Sequence, residues 1–265
     1  MLAVGKELLI GRTLNTNAHW IGKRLARMGS MLKEVTTIDD DLGEIASALG
    51  AAVGRSPDFL IVVGGLGPTP DDMTLKGVAQ GLGVPIRRNA RALALIKEHY
   101  VRRGLQMAMT PARAKMARLP VGADPVVNLW GTAPGVRFVK DKTVVYCLPG
   151  VPVEMRGIFR RSVEPEIRGR MGRMHRKYVT LKLEGIFESA LAPVIALELM
   201  RHPGAYIKSH PRGVRNGVSR IELDIAVVGE DAKRTDEEGE AIAREMTKSV
   251  ELQGGTAKSA GASRG

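Results

Sequence analysis

A single cysteine, Cys147, excludes an internal disulfide framework and any CxxC metal site. Aromatic residues are only 4% of the chain, which argues against a protein built on stacking platforms. No run approaches about 18 apolar residues, so no transmembrane helix is expected. The N-terminal stretch MLAVGKELLIG meets charge at Lys6 and Glu7 before the apolar core of a signal peptide can form. The five histidines (His19, His99, His175, His202, His210) make no i, i+4 pair, which speaks against zinc. There is no GxSxG elbow, and Cys147 sits in an apolar strand with no nearby His, so it reads as a buried structural thiol. Together these absences point to a cytoplasmic chain whose chemistry, if catalytic, uses carboxylates and metal rather than covalent intermediates.

What is present is ordinary in bulk and uneven in detail. The 265 residues suit one large domain or two modest ones, and 44% hydrophobic with 26% charged is normal for a globular protein. The net charge of +12 is concentrated in the middle of the chain. Residues 61–120 hold 10 Lys/Arg against 3 Asp/Glu, and 121–180 hold 11 against 5. By contrast, 1–60 hold 7 against 7, and 181–265 hold 12 against 13. That excess favours an anionic partner, a phosphorylated small molecule or nucleic acid; an Arg-rich solvated surface is the plain alternative.

Over residues 1–170, apolar β-type runs alternate with amphipathic helices, the pattern of βαβ units and a mainly parallel sheet covered on both faces. Helices are expected at 15–29 (capped by Asn15 or Thr16), from Asp41 to Gly54, at 73–82, at 89–103 and from Thr110. Strands are expected at Met1–Val4, 34–38 and 58–63, and as a hairpin-like pair, Val136–Val139 with Thr143–Leu148. Arg168 to Lys177 reads as a linker. Residues 171–253 then form a small β-α-β-β-α unit, and the Gly/Ser/Ala-rich tail 254–265 is expected to be disordered.

The most informative segment is Gly64-Gly65-Leu66-Gly67-Pro68-Thr69-Pro70-Asp71-Asp72-Met73-Thr74, between a buried strand and a helix. Its glycines permit positive φ and close approach to a ligand, and free N–H groups there make an anion nest. The GK[ST] ending of a P-loop and the third glycine of a dinucleotide fingerprint are both missing. Asp71 and Asp72 can cap the following helix or hold a hard cation beside a phosphate. Capping explains one aspartate well, and two beside a glycine nest less well. Glu7, after the first strand, and Asp40, in the Asp39-Asp40-Asp41 run after the second, should open on the same carboxyl edge; capping is the competing account for the aspartate run. Gly131-Thr132-Ala133-Pro134-Gly135 and Leu148-Pro149-Gly150-Val151-Pro152 are further Gly/Pro loops, the second reading most simply as a turn before a helix with Pro152 at its first position.

GKELLIGRTLNTN (5–17), GGLGPTPDDMT (64–74), NLWGTAPG (128–135) and CLPGVPVEM (147–155) together resemble the molybdenum-cofactor-biosynthesis fold shared by MogA, MoaB and the N-terminal part of CinA. AYIKSHPRG (205–213) fits the stand-alone archaeal relatives, labelled nicotinamide mononucleotide deamidase-related, so the likeness covers nearly the whole chain. It implies a three-layer α/β/α MogA-like domain that binds a phosphorylated pterin or nucleotide at the glycine loop, with a small α+β, KH-like C-terminal domain. Carried over by position, it makes Asp72 and Asp40 the catalytic acids; the residues themselves put forward Glu7, Asp71 and Asp72 as metal ligands. It assigns ligand contacts to Gly64, Gly65, Leu66, Gly67, Thr69, Asn17, Gly131, Thr132, Pro149 and Gly150. Three departures matter. The chain leaves no room for the amidase domain of bacterial CinA proteins. The family's DTN is Asn15-Thr16-Asn17, one carboxylate fewer. The first strand is short, as if the start were misplaced or the sheet edge trimmed.

The leading expectation is a CinA-type metal-dependent pyrophosphatase acting on an ADP-ribose-like nucleotide with Mg²⁺ or Co²⁺. The alternatives are a molybdopterin-binding or adenylyl-transfer protein using the same loop, and a non-enzymatic nucleic-acid binder. The last is disfavoured by the small acidic excess of 181–265 and by the lack of an evident GxxG clamp. A homo-oligomer, with a dimer favoured, and no membrane association complete the expectations.

Overall fold

The computed structural model describes residues 1–105, 108–172 and 174–260. They fall into two compact units, one of Met1–Ala26 with Met31–Arg170, the other of Arg27–Ser30 with the chain from Met171 onward. In the first unit the chain runs β1 (Leu2–Val4), α1 (Lys6–Leu9), α2 (Thr16–Arg27), β2 (Thr36–Ile38), α3 (Leu42–Gly54), β3 (Phe59–Val63), α4 (Thr74–Leu82) and β4 (Ile86–Arg88). It continues with α5 (Ala90–Arg102), α6 (Pro111–Lys115), β5 (Arg118–Pro120), β6 (Asp124–Val126), β7 (Gly135–Lys140), β8 (Thr143–Leu148), α7 (Pro152–Ile158) and α8 (Glu164–Met171). Among the described residues no helix is long and apolar enough to cross a membrane.

The sheet order is β2-β1-β3-β8-β7-β6, with the first four strands parallel and the last two antiparallel to their neighbours. The strands are apolar at successive positions because both faces are covered. Leu2, Val4, Leu60, Val62, Val145 and Cys147 enter one core with Ile45, Leu49, Leu75, Val78 and Ile96 from α3, α4 and α5. On the other face Trp20 of α2 meets Phe159 edge-on at 5.4 Å, and the Tyr146 hydroxyl donates to Glu166 of α8 at 2.6 Å. Burial pushes the Cys147 thiol up to about 12, consistent with an inert core residue.

Helix starts follow their caps. Asn15 accepts from the Ala18 amide at 3.0 Å, Asp41 from Gly43 and Glu44, and Asn89 from Ala92. Several expectations need correction. β1 is interior, between β2 and β3, rather than a trimmed edge. The β4–β5 ribbon and β6 were not anticipated; three-residue strands carrying Arg or Pro give no periodicity to read. The segment 168–177, expected to be a linker, does contain the division between the two units, but regular structure enters it from both ends: α8 runs to Met171, anchored by buried Ile167 and by Arg168 on Glu164, and a strand begins at His175. Between α7 and α8 a π-type turn, Phe159–Val163, lets both Phe159 and Val163 reach the core.

In the second unit β9 (His175–Glu184), α9 (Glu188–Arg201), β10 (Tyr206–Arg215), β11 (Val218–Gly229), α10 (Ala232–Leu252) and β12 (Thr256–Ala260) form an antiparallel sheet of order β10-β11-β9-β12. Leu181, Leu183, Ile207, Ile221, Leu223, Ile225 and Val227 pack against Leu191, Ile242, Met246 and Val250 of the two helices. The expected disordered tail is corrected over 254–260. Gly254, at φ +81°, turns the chain, and Thr256–Ala260 pairs with β9, whose edge would otherwise lie open. Residues 261–265 lie outside the described residues.

Candidate functional site

Parallel pairing brings the carboxyl ends of β1, β2, β3 and β8 to one edge, where four loops surround a cleft of about 590 Å³. Its walls include Gly5 and Glu7 after β1, Asp40 after β2, Gly64 to Pro68 with Asp71 and Asp72 after β3, and Pro149 to Pro152 after β8. Asn15 and Asn17 close it from α2, with Thr132 and Glu154 on another side.

The glycine loop is built by close approach. Gly64 adopts φ +110°, and a Cβ there would lie 2.1 Å from the Val4 carbonyl oxygen. Gly65, at φ +63°, would place a Cβ 2.3 Å from the Thr74 hydroxyl. Only glycine tolerates both. The Gly64 amide is used by the Leu148 carbonyl at 3.0 Å. Among the described residues the amides of Gly65, Leu66 and Gly67 donate to no protein acceptor, so three consecutive donors border the cleft.

The acids divide by environment. Asp72 shapes the loop: it accepts from the Thr69 amide at 2.9 Å and from the Thr69 hydroxyl at 2.6 Å. The Lys115 ammonium braces the same turn by donating to the Thr69 carbonyl, a contact that its place on a short helix far along the chain did not reveal. Asp71 is held below the usual carboxylate range, by the Thr69 hydroxyl first, although the shortest bond from that hydroxyl goes to Asp72. Asp40 accepts from the Lys6 amide at 3.0 Å, yet its pKa is raised, by burial first and then by the charges of Glu7, Asp39 and Asp71.

The raised value fixes a sign. A carboxylate whose folded pKa exceeds its unfolded one costs stability once ionised. Asp40→Asn, which keeps an acceptor for Lys6, is therefore expected to raise the melting temperature at pH 7. The gain should vanish as pH falls below the ordinary aspartate value of 3.8. Paired melts at pH 7 and pH 3 check this; an unchanged or lowered melting temperature at pH 7 would count against the burial of Asp40.

Of the sequence-expected residues, Glu7, Asn17, Asp40, Gly64, Gly65, Leu66, Gly67, Asp71, Asp72, Thr132, Pro149 and Gly150 line the cleft. Thr69 and Gly131 do not: Thr69 is spent on Asp72, and Gly131 donates to Asn128 at 2.9 Å in a turn packed against Glu154. Among the described residues no three His, Cys, Asp or Glu side chains gather closely enough to hold a metal ion. Glu7, Asp71 and Asp72 share the cleft but do not form a closed ligand set. Glu154 and Tyr100 are lining residues that the motif reading passed over, and Asn15, where the family's DTN has its aspartate, lines the cleft as well. Glu154 stands in the quoted LPGVPVEM stretch and accepts from Asn128 at 2.7 Å. Asn17 donates to the Gly150 carbonyl at 2.7 Å, while its buried Oδ1 has no partner and offers the cleft an unused acceptor.

Residues 1–169 match the family described as a probable molybdopterin-binding domain. A Metallosphaera sedula protein is 40% identical over 256 residues, spanning 97% of this chain and 95% of its own. A Pyrobaculum arsenaticum protein is 40% identical over 225 residues, 85% of this chain and 84% of its own. The solved structure of the protein CinA from Thermoplasma acidophilum, described as of unknown function, superposes at TM-score 0.56 with 41% identity, over 62% of this chain and 95% of that one. The chain belongs to the MoaB/MogA-like family of probable molybdopterin-binding domains, with CinA as a structural neighbour.

Proposed function

We propose that this cleft binds a phosphorylated pterin of the molybdopterin type, or a nucleotide of comparable size, as a binding protein of the cofactor pathway. The observation that carries the reading is the run of unpartnered amides at Gly65, Leu66 and Gly67. Three oriented N–H groups favour a phosphate without a formal positive charge. Asn17 Oδ1 supplies an acceptor for a ring or sugar donor, Thr132 and Pro149 line the same cleft, and Gly150 lies beside Gly64.

Thermal shift with molybdopterin, AMP and ADP-ribose tests it. A ligand at 100 times its Kd adds about 2.7 kcal/mol of apparent stability, a shift of several degrees. Molybdopterin is expected to stabilise the protein, and Asn17→Ala to bind at least ten-fold more weakly. No stabilisation by any phosphorylated ligand would overturn the proposal.

A second reading, hydrolysis of an ADP-ribose-like diphosphate, is favoured by one observation. Asp40 and Asp71 face one cleft with pKa values displaced in opposite directions, the arrangement that separates an acid from a base. Release of AMP from ADP-ribose in the presence of Mg²⁺ or Co²⁺, abolished in Asp40→Asn with the melting temperature not lowered, would establish it; no release removes it.

A further inference from the structure

The sheet of the second unit has a second face, opposite its helices. Register places Tyr206, Ala226 and Tyr178 in one row across β10, β11 and β9. The next row is Lys208, Asp224, Thr180 and Ala260, and the one after is His210, Glu222, Lys182 and Lys258. Side chains two apart along a strand share a face, so these rows form one surface. Tyr178 and Tyr206 are 49% and 52% exposed, large values for aromatic rings on a sheet. The guanidinium of Arg176 lies 5.7 Å from the Tyr178 ring centroid, and its buried Nε has no partner.

Charge on this face does not cancel. Its acids are engaged: Glu222 with Arg212 at 2.9 Å, Glu184 with Arg220 at 3.3 Å, and Asp224 with the Thr180 hydroxyl at 2.8 Å and His210 at 3.3 Å. Arg176, Lys182, Lys208 and Lys258 form no ion pair among the described residues. Of the 13 acidic residues that bring this part of the chain to near neutrality, eight are on α9 and α10 against five Lys/Arg, and on α10 Asp236, Glu238 and Glu240 pair with His175, His202 and Lys177. The balance of 12 basic to 13 acidic residues over 181–265 thus conceals a segregation. The helical side is acidic and the open face basic.

We propose that this face binds single-stranded nucleic acid, with bases stacked on Tyr178 and Tyr206 and phosphates held by Arg176, Lys182, Lys208 and Lys258. Two of the four tyrosines of an aromatic-poor chain stand in one row, flanking a small residue. Neighbouring strands are about 4.8 Å apart, so the rings are separated by about two spacings and can serve successive bases. Exposed aromatics surrounded by uncompensated cations, without a hydrogen-bonding code, are the elements of sequence-tolerant single-strand binding. The surface shares no residue with the cleft, so the proposal stands or falls independently of the ligand bound there.

The test uses the full chain and fluorescence anisotropy with 12-nucleotide single-stranded RNA, single-stranded DNA and duplex DNA at several salt concentrations. Single strands are expected to bind more tightly than duplex. Y178A/Y206A should weaken binding at least ten-fold, with circular dichroism and melting temperature unchanged. K182Q/K208Q, at two exposed positions, should reduce the slope of log K against log salt by about 1.4, at about 0.7 per phosphate contact on a single strand. No binding at 50 mM salt, an affinity unaffected by both double variants, or tighter binding of duplex than of single strand overturns the proposal.

Discussion

Gly64→Ala is expected to destabilise the first unit by at least about 3 kcal/mol, a fall in melting temperature of roughly 10 °C, with loss of ligand binding in the cleft. The added methyl would sit 2.1 Å from the Val4 carbonyl oxygen and 3.2 Å from its carbon, at φ +110°. The obstacle is backbone, and it cannot retreat: β1 is paired on one side to β2 and on the other to β3. The cost therefore combines an unfavourable dihedral with overpacking. Gly50→Ala is the control. It lies in α3 with no atom within 4 Å of the new Cβ, and should stabilise by roughly 0.5–1 kcal/mol. Scanning calorimetry of the two variants decides the matter; equal melting temperatures would show that the loop is not held by this approach.

The second large effect concerns Glu166. Arg137 donates to it twice, at 2.9 and 2.6 Å, and Tyr146 donates at 2.6 Å from the sheet. Those bonds, Arg137 first, overcome burial and hold the carboxyl down to about 2. The same contacts raise the Arg137 and Tyr146 values, with burial the larger cause for the tyrosine. Because the folded value lies below the ordinary 4.5, the stabilisation is present above that pH and is lost as pH falls towards 2. A gap of this size corresponds to about 3 kcal/mol at ~1.4 kcal/mol per unit, which solvent at the partly exposed carboxylate trims to roughly 1–2. Glu166→Ala is expected to cost about 2–4 kcal/mol at pH 7, since it strands a guanidinium and a phenol. Urea melts at pH 7 and pH 2.5 should show the gap between variant and parent closing at the lower pH. A gap independent of pH would mean that the carboxylate charge contributes little.

Much of the first unit was legible because its signals are local. Asn15, Asp41 and Asn89 each cap a helix within three residues, and the apolar runs at 59–63 and 143–148 are strands covered on both faces. The glycine loop was legible for the same reason, since closely spaced glycines between a strand and a helix leave few other uses for the chain. What escaped was non-local. The pairing of Arg87 with Leu119 and the bracing of Thr69 by Lys115 depend on partners more than thirty residues away. The strand at 256–260 looked like a solvated tail because it is polar and small; its order comes from the β9 edge it completes.

The chain's own order of residues was enough to determine the layered α/β architecture, the glycine loop and the family, because periodicity, caps and glycine spacing are written within a few positions of where they act. Tertiary structure alone decided which acids do what. Asp72 turned inward to tie the loop, whereas Asp40 was left half-buried among like charges. It also decided that a nearly neutral C-terminal segment presents one acidic and one basic side. Burial, like-charge proximity and the division of a sheet into faces are properties of arrangement in space, and no linear count of residues contains them.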